Sequence, residues 1–425
     1  MKKIFILLSE FIKARWIRKW KTREELEKYQ YEEISKHIEY MKNKSPYFIK
    51  NGIKDNFQMN KKFMVENFDL LNTVGIKKDE ALKIAVEGEK TRIFTKKYKG
   101  ISVGLSSGTS GHRGIFVTTE EEQGIWAGMI LAKMLPKGKI LGNRIAFFLR
   151  ADNNLYKSIN SFLIKLRYFD LFRHIENHIE ELNRYRPTVL VAPASALSIL
   201  GQKKVEGKLN IAPRQIISVA EVLEEKDAEW IKEIFSIKFV YQIYQATEGL
   251  LGYTCHCGSI HLNEEWIKFE KDYIDDRRFY PIIKDFQRKS QPFIRYHLND
   301  ILMENKEKCK CGSVFTRIEK IEGRSDDIFY FIDKKANTRK VFPDFIRRCM
   351  LFSKGIREYQ VFQTSYYKIE IAVLNLEEYQ KKEIKEEFGI FFKQLEVENV
   401  EIVFIPYLPE KNAKLRRIYQ KMDKI

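Results

Sequence analysis

Four short, nearly unbroken apolar runs constrain this chain more than any other feature. They are Ile145–Leu149, Thr188–Ala192, Gln215–Val219 and Phe239–Tyr244. A strand with one face in water alternates apolar and polar residues, whereas a strand that does not alternate is covered on both faces. The stretch Glu225–Phe235, between the last two runs, carries a helical pattern. Such strands alternating with helices predict an α/β fold with several layers, its sheets mostly parallel, over about residues 100 to 320. Before that region Leu26, Tyr29, Ile34, Ile38 and Met41 recur at helical spacing, so 1–90 is read as mostly helical. After it, strand candidates Asp327–Ile332, Ile369–Leu374 and Val400–Ile405 and a helix at Glu377–Leu395 predict a small α+β domain. The expected division is a large domain over 1–325 and a small one over 326–425, joined near Asp326.

Composition excludes several classes. A chain of 425 residues that is 44% hydrophobic and 13% aromatic can fill two or three packed cores and is not a disordered chain. No apolar run approaches the roughly 18 residues of a membrane span. The apolar start Ile4–Leu8 is broken by Glu10, Lys13 and Arg15 and lacks a small-residue cleavage site, so a cytoplasmic protein is expected. Trp16-Ile17-Arg18-Lys19-Trp20 is read as packing on the body, with a membrane surface as the alternative. The net charge of +18 comes from 76 basic against 58 acidic residues. The lysines are scattered without a basic block, which favours a lysine-rich chain with a phosphate site over a nucleic-acid binder.

Two motifs carry chemistry. Between Ser102 and Gly114 lie Ser106, Ser107, Gly108, Thr109, Ser110 and Gly111, followed by His112 and Arg113. Glycines let backbone N–H groups converge, and hydroxyls add donors, as a nest for phosphate oxygens requires. The Walker spacing is absent. The second motif is a pair of Cys-x-Cys elements, Cys255/Cys257 and Cys309/Cys311, with His261 beside the first. Clustered cysteines in a reducing compartment point to a metal rather than to disulfides. Cys349 stands apart and is read as a core thiol.

Taken in order, further elements give a resemblance. Ser106–Gly114 is similar to the Ser/Thr-Gly-rich loop of the acyl-adenylate-forming superfamily, which includes acyl-CoA synthetases, luciferases and peptide-synthetase adenylation domains. Tyr244-Gln-Ala-Thr-Glu-Gly249, Ile294-Arg-Tyr-His-Leu-Asn-Asp300, Gly323-Arg-Ser-Asp-Asp327 and Pro409-Glu-Lys-Asn-Ala-Lys-Leu-Arg416 resemble its later signatures. Ser218-Val-Ala-Glu221, Leu190–Ser195 and the cysteines resemble the branch of phenylacetate–CoA ligases and deazaflavin-cofactor adenylating synthetases. Asn72–Ile76, Phe148–Asp152 and Gln291–Arg295 match a group within it described only as adenylate-forming enzymes.

The resemblance implies ATP-dependent activation of a small carboxylic acid, aryl or otherwise, to an acyl-adenylate with pyrophosphate release. Transfer to the thiol of CoA or of a carrier protein's phosphopantetheine would follow. It implies that Glu248 helps hold Mg²⁺, that Thr247 contacts phosphate, and that Arg113 supplies the loop cation. Ala220, Glu221 and Tyr244 would line the adenine pocket. Asp300 would bind ribose, and Arg324 ribose or phosphate. Lys414 would bridge carboxylate and α-phosphate, carried by a mobile small domain that turns at Asp326, with the active site between the domains. Zinc would be held by Cys255 or Cys257 with His261, Cys309 and Cys311. Two other readings stand beside this one: adenylation of a hydroxyl, and a non-catalytic nucleotide-binding relative. A hairpin with its turn at Asp333–Asn337, carrying Lys334, Lys335, Arg339 and Lys340, is expected to dock an acidic carrier protein or to be a solvated turn.

Overall fold

The computed structural model describes residues 2–91, 96–105, 114–136, 138, 140–149, 164–171, 173–351, 356, 358–408 and 416–422. The chain divides into two compact units, Met1–Leu298 with Glu304–Lys320, and Asn299–Met303 with Ile321–Ile425.

In the first unit, helices fill most of the first ninety residues, the longest being Arg23–Lys44. A two-stranded sheet follows, β1 (Ser102–Leu105) antiparallel to β2 (Ile115–Thr118). The main sheet begins with β3 (Asn143–Leu149) and β4 (Ile164–Asp170). It continues through β5 (Val189–Ala192), β6 (Gln215–Val219) and β7 (Tyr241–Ala246). These five strands are parallel, in the order β4-β3-β5-β6-β7. Four of them are the apolar runs read from the sequence, within two residues at each end. Their side chains are buried because helices cover them: Phe148, Leu190 and Ile216 pack with Leu197 and Leu200 of the helix Ala194–Val205 and with Ile231 and Phe235 of the helix Glu225–Phe235. Gly201 lies against the Trp230 ring, where a Cβ would not fit.

Beyond β7 the sheet turns antiparallel, a change the sequence did not announce. β8 (Gly249–Thr254) and β9 (Ile260–Leu262) extend it by hairpins. β10 (Ile267–Tyr273), β11 (Arg278–Asp285) and β12 (Phe293–His297) pair antiparallel in turn. β13 (Asp300–Glu304) and β14 (Arg317–Arg324) are the strands in which the chain passes between its two units.

The second unit has a hairpin, β15 (Phe329–Ile332) with β16 (Thr338–Val341), turning at Asp333–Asn337 as expected. Its four-stranded sheet contains β17 (Tyr359–Ser365), β18 (Lys368–Val373), β19 (Glu401–Ile405) and β20 (Ile418–Gln420), in the order β19-β18-β17-β20. The helix Glu378–Gln394 packs Ile384, Phe388 and Phe392 into the core with Phe329, Phe331, Val361 and Ile371. Cys349 is buried in the same core. Among the described residues no helix is long and apolar enough to cross a membrane.

Candidate functional site

β6 and β7 run in parallel register, Ser218 beside Gln242 and Val219 beside Ile243. The residues after them therefore leave the sheet at its carboxyl end, where open α/β sheets bind ligands. After β6 the chain turns at Ala220, whose φ of +68° is uncommon for a residue with a side chain. The turn brings the Glu221 carboxylate to the start of the helix Ala194–Val205, where it accepts from the Ser195 amide at 2.9 Å. A carboxylate there satisfies an open N–H and meets the positive end of the helix dipole. Tyr244 is buried in β7 opposite Gly252.

Thr247 and Glu248 make the reversal from β7 into β8. The Tyr296 hydroxyl donates to Glu248 Oε1 at 2.9 Å, and the Thr247 hydroxyl donates to Oε2 at 3.0 Å. A carboxylate has about four acceptor positions, so each oxygen keeps a lone pair for a hard cation.

The loop residues Ser106, Ser107, Gly108, Thr109, Ser110, Gly111 and Arg113 lie outside the described residues, as does Lys414. The strands at the two roots of that loop are described, and β2 is held firmly. The Gln291 side chain accepts from the Val117 amide at 3.0 Å and donates to the Ile115 carbonyl at 3.0 Å. The Arg288 guanidinium donates to the Val117 carbonyl at 3.0 Å, and through its other nitrogen to the carbonyls of Thr247 and Glu248, each at 3.4 Å. One side chain thus ties the root of the glycine-rich loop to the Thr-Glu reversal.

The turn carrying Arg288 is itself fixed by two buried acids. Asp285 Oδ1 accepts from the amides of Gln287 (2.7 Å) and Arg288 (3.1 Å). Glu122 Oε1 accepts from the amides of Lys289 and Ser290, each at 2.8 Å. Burial pushes the Asp285 carboxyl up to about 6 against the pull of Arg288. For Glu122 burial acts the same way, but Arg288 and hydrogen bonds from Ser290 outweigh it and hold the carboxyl below its ordinary range. On the far side Thr73 bonds the Lys289 carbonyl (2.8 Å), while Asn72 closes its own loop onto Phe68 and Ile76. Sequence reasoning missed Arg288, Tyr296, Asp285 and Glu122. Two left a signal: Tyr296 lies within the Ile294–Asp300 element, though with no role read for it, and Glu122 belongs to the Thr119-x-x-Glu122 capping box at the start of the helix Glu120–Met134, which is formed.

Within the second unit, Arg324 Nε lies 3.7 Å from Asp300 Oδ1. Asn299 donates to the Asp326 carboxylate at 2.8 Å, and the Ser325 amide to the Asn299 carbonyl at 2.7 Å. Arg416, two residues after Lys414, forms an ion pair with the buried Asp327, its Nε at 2.7 Å from Oδ1. Burial raises the Asp327 carboxyl while Arg416 opposes the rise.

The structure brings Cys255, His261, Cys309 and Cys311 together, with ligand atoms all within 4.8 Å of one another. Cys257 is exposed, and its amide donates to Cys255 Sγ at 3.4 Å. Cys255 Sγ and Cys309 Sγ are 3.7 Å apart, and Cys311 Sγ is 3.4 Å from His261 Nε2. A zinc tetrahedron has edges of about 3.8 Å between sulfurs and about 3.5 Å between sulfur and nitrogen. His261 Nδ1 faces the Phe315 carbonyl at 3.2 Å, which leaves Nε2 for a metal. Each Cys-x-Cys-Gly turn closes on a glycine with positive φ, Gly258 at +88° and Gly312 at +76°. The donor set fits zinc.

No protein-family model matches the chain, and no curated protein matches it in sequence. Solved structures do match it in fold. A 2-hydroxyisobutyryl-CoA ligase in the postadenylation state with 2-HIB-AMP superimposes with a TM-score of 0.69 at 16% identity, covering 95% of this chain and 90% of that one. The anthranilate CoA ligase AuaEII with anthranoyl-AMP gives 0.53 at 13% identity, covering 74% and 65%. The amide bond synthetase McbA from Marinactinospora thermotolerans gives 0.54 at 11% identity, covering 74% and 67%. At these identities the likeness is one of fold: the chain has the α/β architecture of the acyl-adenylate-forming ligases, small C-terminal domain included.

Proposed function

We propose that this chain, folded as the adenylate-forming ligases are, uses ATP to convert a small carboxylic acid into an acyl-adenylate with release of pyrophosphate. The observation that carries the proposal is Glu248, held by Tyr296 and Thr247 at the end of a parallel strand and joined through Arg288 to the root of the glycine-rich loop. The ligands bound in two of the similar structures, 2-HIB-AMP and anthranoyl-AMP, support the same chemistry.

Both reactants are anions, so positioning and charge neutralisation supply most of the catalysis. Ser106–Gly111 cradle phosphate and Arg113 adds a cation to that loop. Mg²⁺ at Glu248 would neutralise phosphate charge, and Thr247 contacts a phosphate oxygen. Ala220, Glu221 and Tyr244 bound the adenine, with Glu221 fixing the segment through the Ser195 amide. Asp300 accepts from the ribose hydroxyls, and Arg324 contacts ribose or phosphate. Lys414 neutralises the carboxylate and the α-phosphate in the transition state. Asp326 is the point about which the C-terminal segment turns between half-reactions. Cys255, His261, Cys309 and Cys311 would hold a structural zinc, which would staple the β8–β9 turn to the segment before β14.

The acceptor in this reading is a thiol, of CoA or of a carrier-bound pantetheine. In the hairpin beyond the turning point, Arg339 pairs with Asp333 and Lys334 with Glu398, and the exposed Lys335 and Lys340 are in none of the ion pairs among the described residues, so they are the cations offered to an acidic carrier. The test is acid-dependent exchange of pyrophosphate into ATP across a panel of aryl and fatty acids. Exchange with at least one acid is expected. A stable AMP adduct on a hydroxyl substrate, with no exchange for any acid, would overturn the proposal.

A further inference from the structure

The helix Lys2–Ile12 has two apolar faces, and the body of the protein uses only one. Leu7, Phe11 and Ala14 are buried against the helix Glu120–Met134. The contact is close because Gly124 and Gly128 of that helix present no side chain. A Cβ on Gly128 would strike the Leu7 carbonyl oxygen and come within 2.8 Å of Glu10 Cβ and 2.9 Å of the Phe11 amide. Polar bonds lock the arrangement. Arg15 donates to the carbonyls of Ala132 (2.7 Å), Leu135 (2.8 Å) and Pro136 (2.6 Å), the open carbonyls at and just past that helix's end. Arg18 pairs with Glu10 and Glu265, and Glu265 also holds Lys133 at 2.8 Å.

This fixed helix turns a second apolar stripe outward. Ile4, Phe5, Leu8 and Ile12 repeat at helical spacing, and Trp16 and Ile17 continue them through the next turn. Phe5 is 74% exposed, Ile17 65%, and Leu8 and Trp16 50% each. A contiguous apolar stripe of this kind is a surface for interaction, not ordinary scatter. Along the segment itself the rim is cationic, with Glu120 of the neighbouring helix the acid near its Lys3 end. Lys2, Lys13, Lys19 and Lys21 are exposed, and the only acid between Lys2 and Thr22, Glu10, is buried against Arg18. Apolar residues that include an aromatic, flanked by more lysines than acids, match the apolar boundary and negative headgroups of an anionic bilayer. A second copy of the same surface would oppose lysines to lysines.

We propose that the Lys2–Ile17 segment docks the protein on anionic phospholipid membranes, lying in the interface plane with Phe5, Leu8 and Trp16 toward the acyl chains. Docking depends on both components, so it weakens with salt and with loss of either the apolar residues or the lysines.

The experiment is flotation of the full-length protein with phosphatidylcholine vesicles, alone and with about a third phosphatidylglycerol. Binding is expected to be roughly tenfold stronger to the anionic vesicles, and Phe5→Asp with Leu8→Asp should abolish it. Lys13→Glu with Lys19→Glu should remove the preference for anionic lipid. Circular dichroism melts identical to wild type establish that these outward positions leave the fold intact, and the single variant Phe5→Ala, expected to bind less, tests the stripe without adding charge. Equal binding to both vesicle types, anionic binding unchanged in the Phe5/Leu8 variants, or a concentration-dependent dimer that those variants abolish without any vesicle binding would each overturn the proposal.

Discussion

Tyr296 holds Glu248 from across the strand order: the hydroxyl of one, on β12, meets the carboxylate of the other, in the turn after β7, at 2.9 Å. Removing the hydroxyl leaves the carboxylate held by the Thr247 hydroxyl alone. Tyr296→Phe is expected to cost about 1 kcal/mol of stability or less, while lowering the adenylation rate by roughly tenfold and raising the Mg²⁺ needed for half-maximal rate. Glu248→Gln should shift the Mg²⁺ titration further. A titration that moves in neither variant would mean that another acid holds the metal.

Lys414 and Arg416 make a second pair of tests. Lys414→Ala should abolish pyrophosphate exchange yet leave ATP binding nearly unchanged, since a cation that acts in the transition state contributes to rate rather than to affinity. Arg416→Gln leaves Asp327 buried without its partner and should lower the thermal midpoint, by about 2 to 4 kcal/mol of stability, with a smaller loss of exchange. Exchange at wild-type speed in Lys414→Ala would remove this lysine from the mechanism.

The cysteine cluster predicts one zinc per chain in protein purified without added metal. Cys309→Ser should lower the melting temperature by several degrees and halve or abolish the zinc content, because metal binding is coupled to folding. Cys349→Ser, a change to a buried thiol, and Cys257→Ser, a change at the exposed position, should each keep the metal. Equal loss of zinc in Cys257→Ser would reassign the ligand.

Asp285 gives a pH test. Its folded pKa, about 6, lies above the ordinary 3.8 because the carboxyl is buried. The folded state therefore keeps a proton that the unfolded state has lost. Stability should fall as pH rises from about 4 to about 6, by roughly 3 kcal/mol at most. Asp285→Asn keeps an acceptor for the Gln287 and Arg288 amides and removes the titration. The variant should match wild type near pH 4 and exceed it at pH 7 in denaturant melts; a difference that does not change with pH would show that this carboxyl is not what titrates.

The parallel strands were legible because double burial leaves an apolar run that no other structure explains as well. The antiparallel strands β8 to β12 were not. Their residues mix Leu250-Leu251 with Lys268, Glu270 and Lys271, because one side of several of them is only half-buried. The zinc cluster was legible as a set, since thiols at i and i+2 have few other uses. The choice between Cys255 and Cys257 needed the turn geometry, in which Cys257 is left exposed. Arg288 left no trace at all. It acts on backbone carbonyls forty and 171 residues away, and any sequence supplies a carbonyl. Asn72 and Gln291, which carried part of the resemblance, turn out to hold loops and strands rather than to face the Glu248 carboxylate.

Ala220 stands in a backbone conformation suited to glycine, immediately before the Glu221 that caps a neighbouring helix. Glycine there would relieve about 1 kcal/mol of strain. It would also give the segment freedom to swing away from the conformation that places Glu221 on its helix. The alanine therefore works as a preloaded latch: the fold accepts a small standing tension and holds Glu221 on its helix, and under the proposed function a nucleotide would meet a wall already in place. Under the proposed function, engineering for heat resistance at this position would run against nucleotide affinity, and the two gains could not be had from the same substitution.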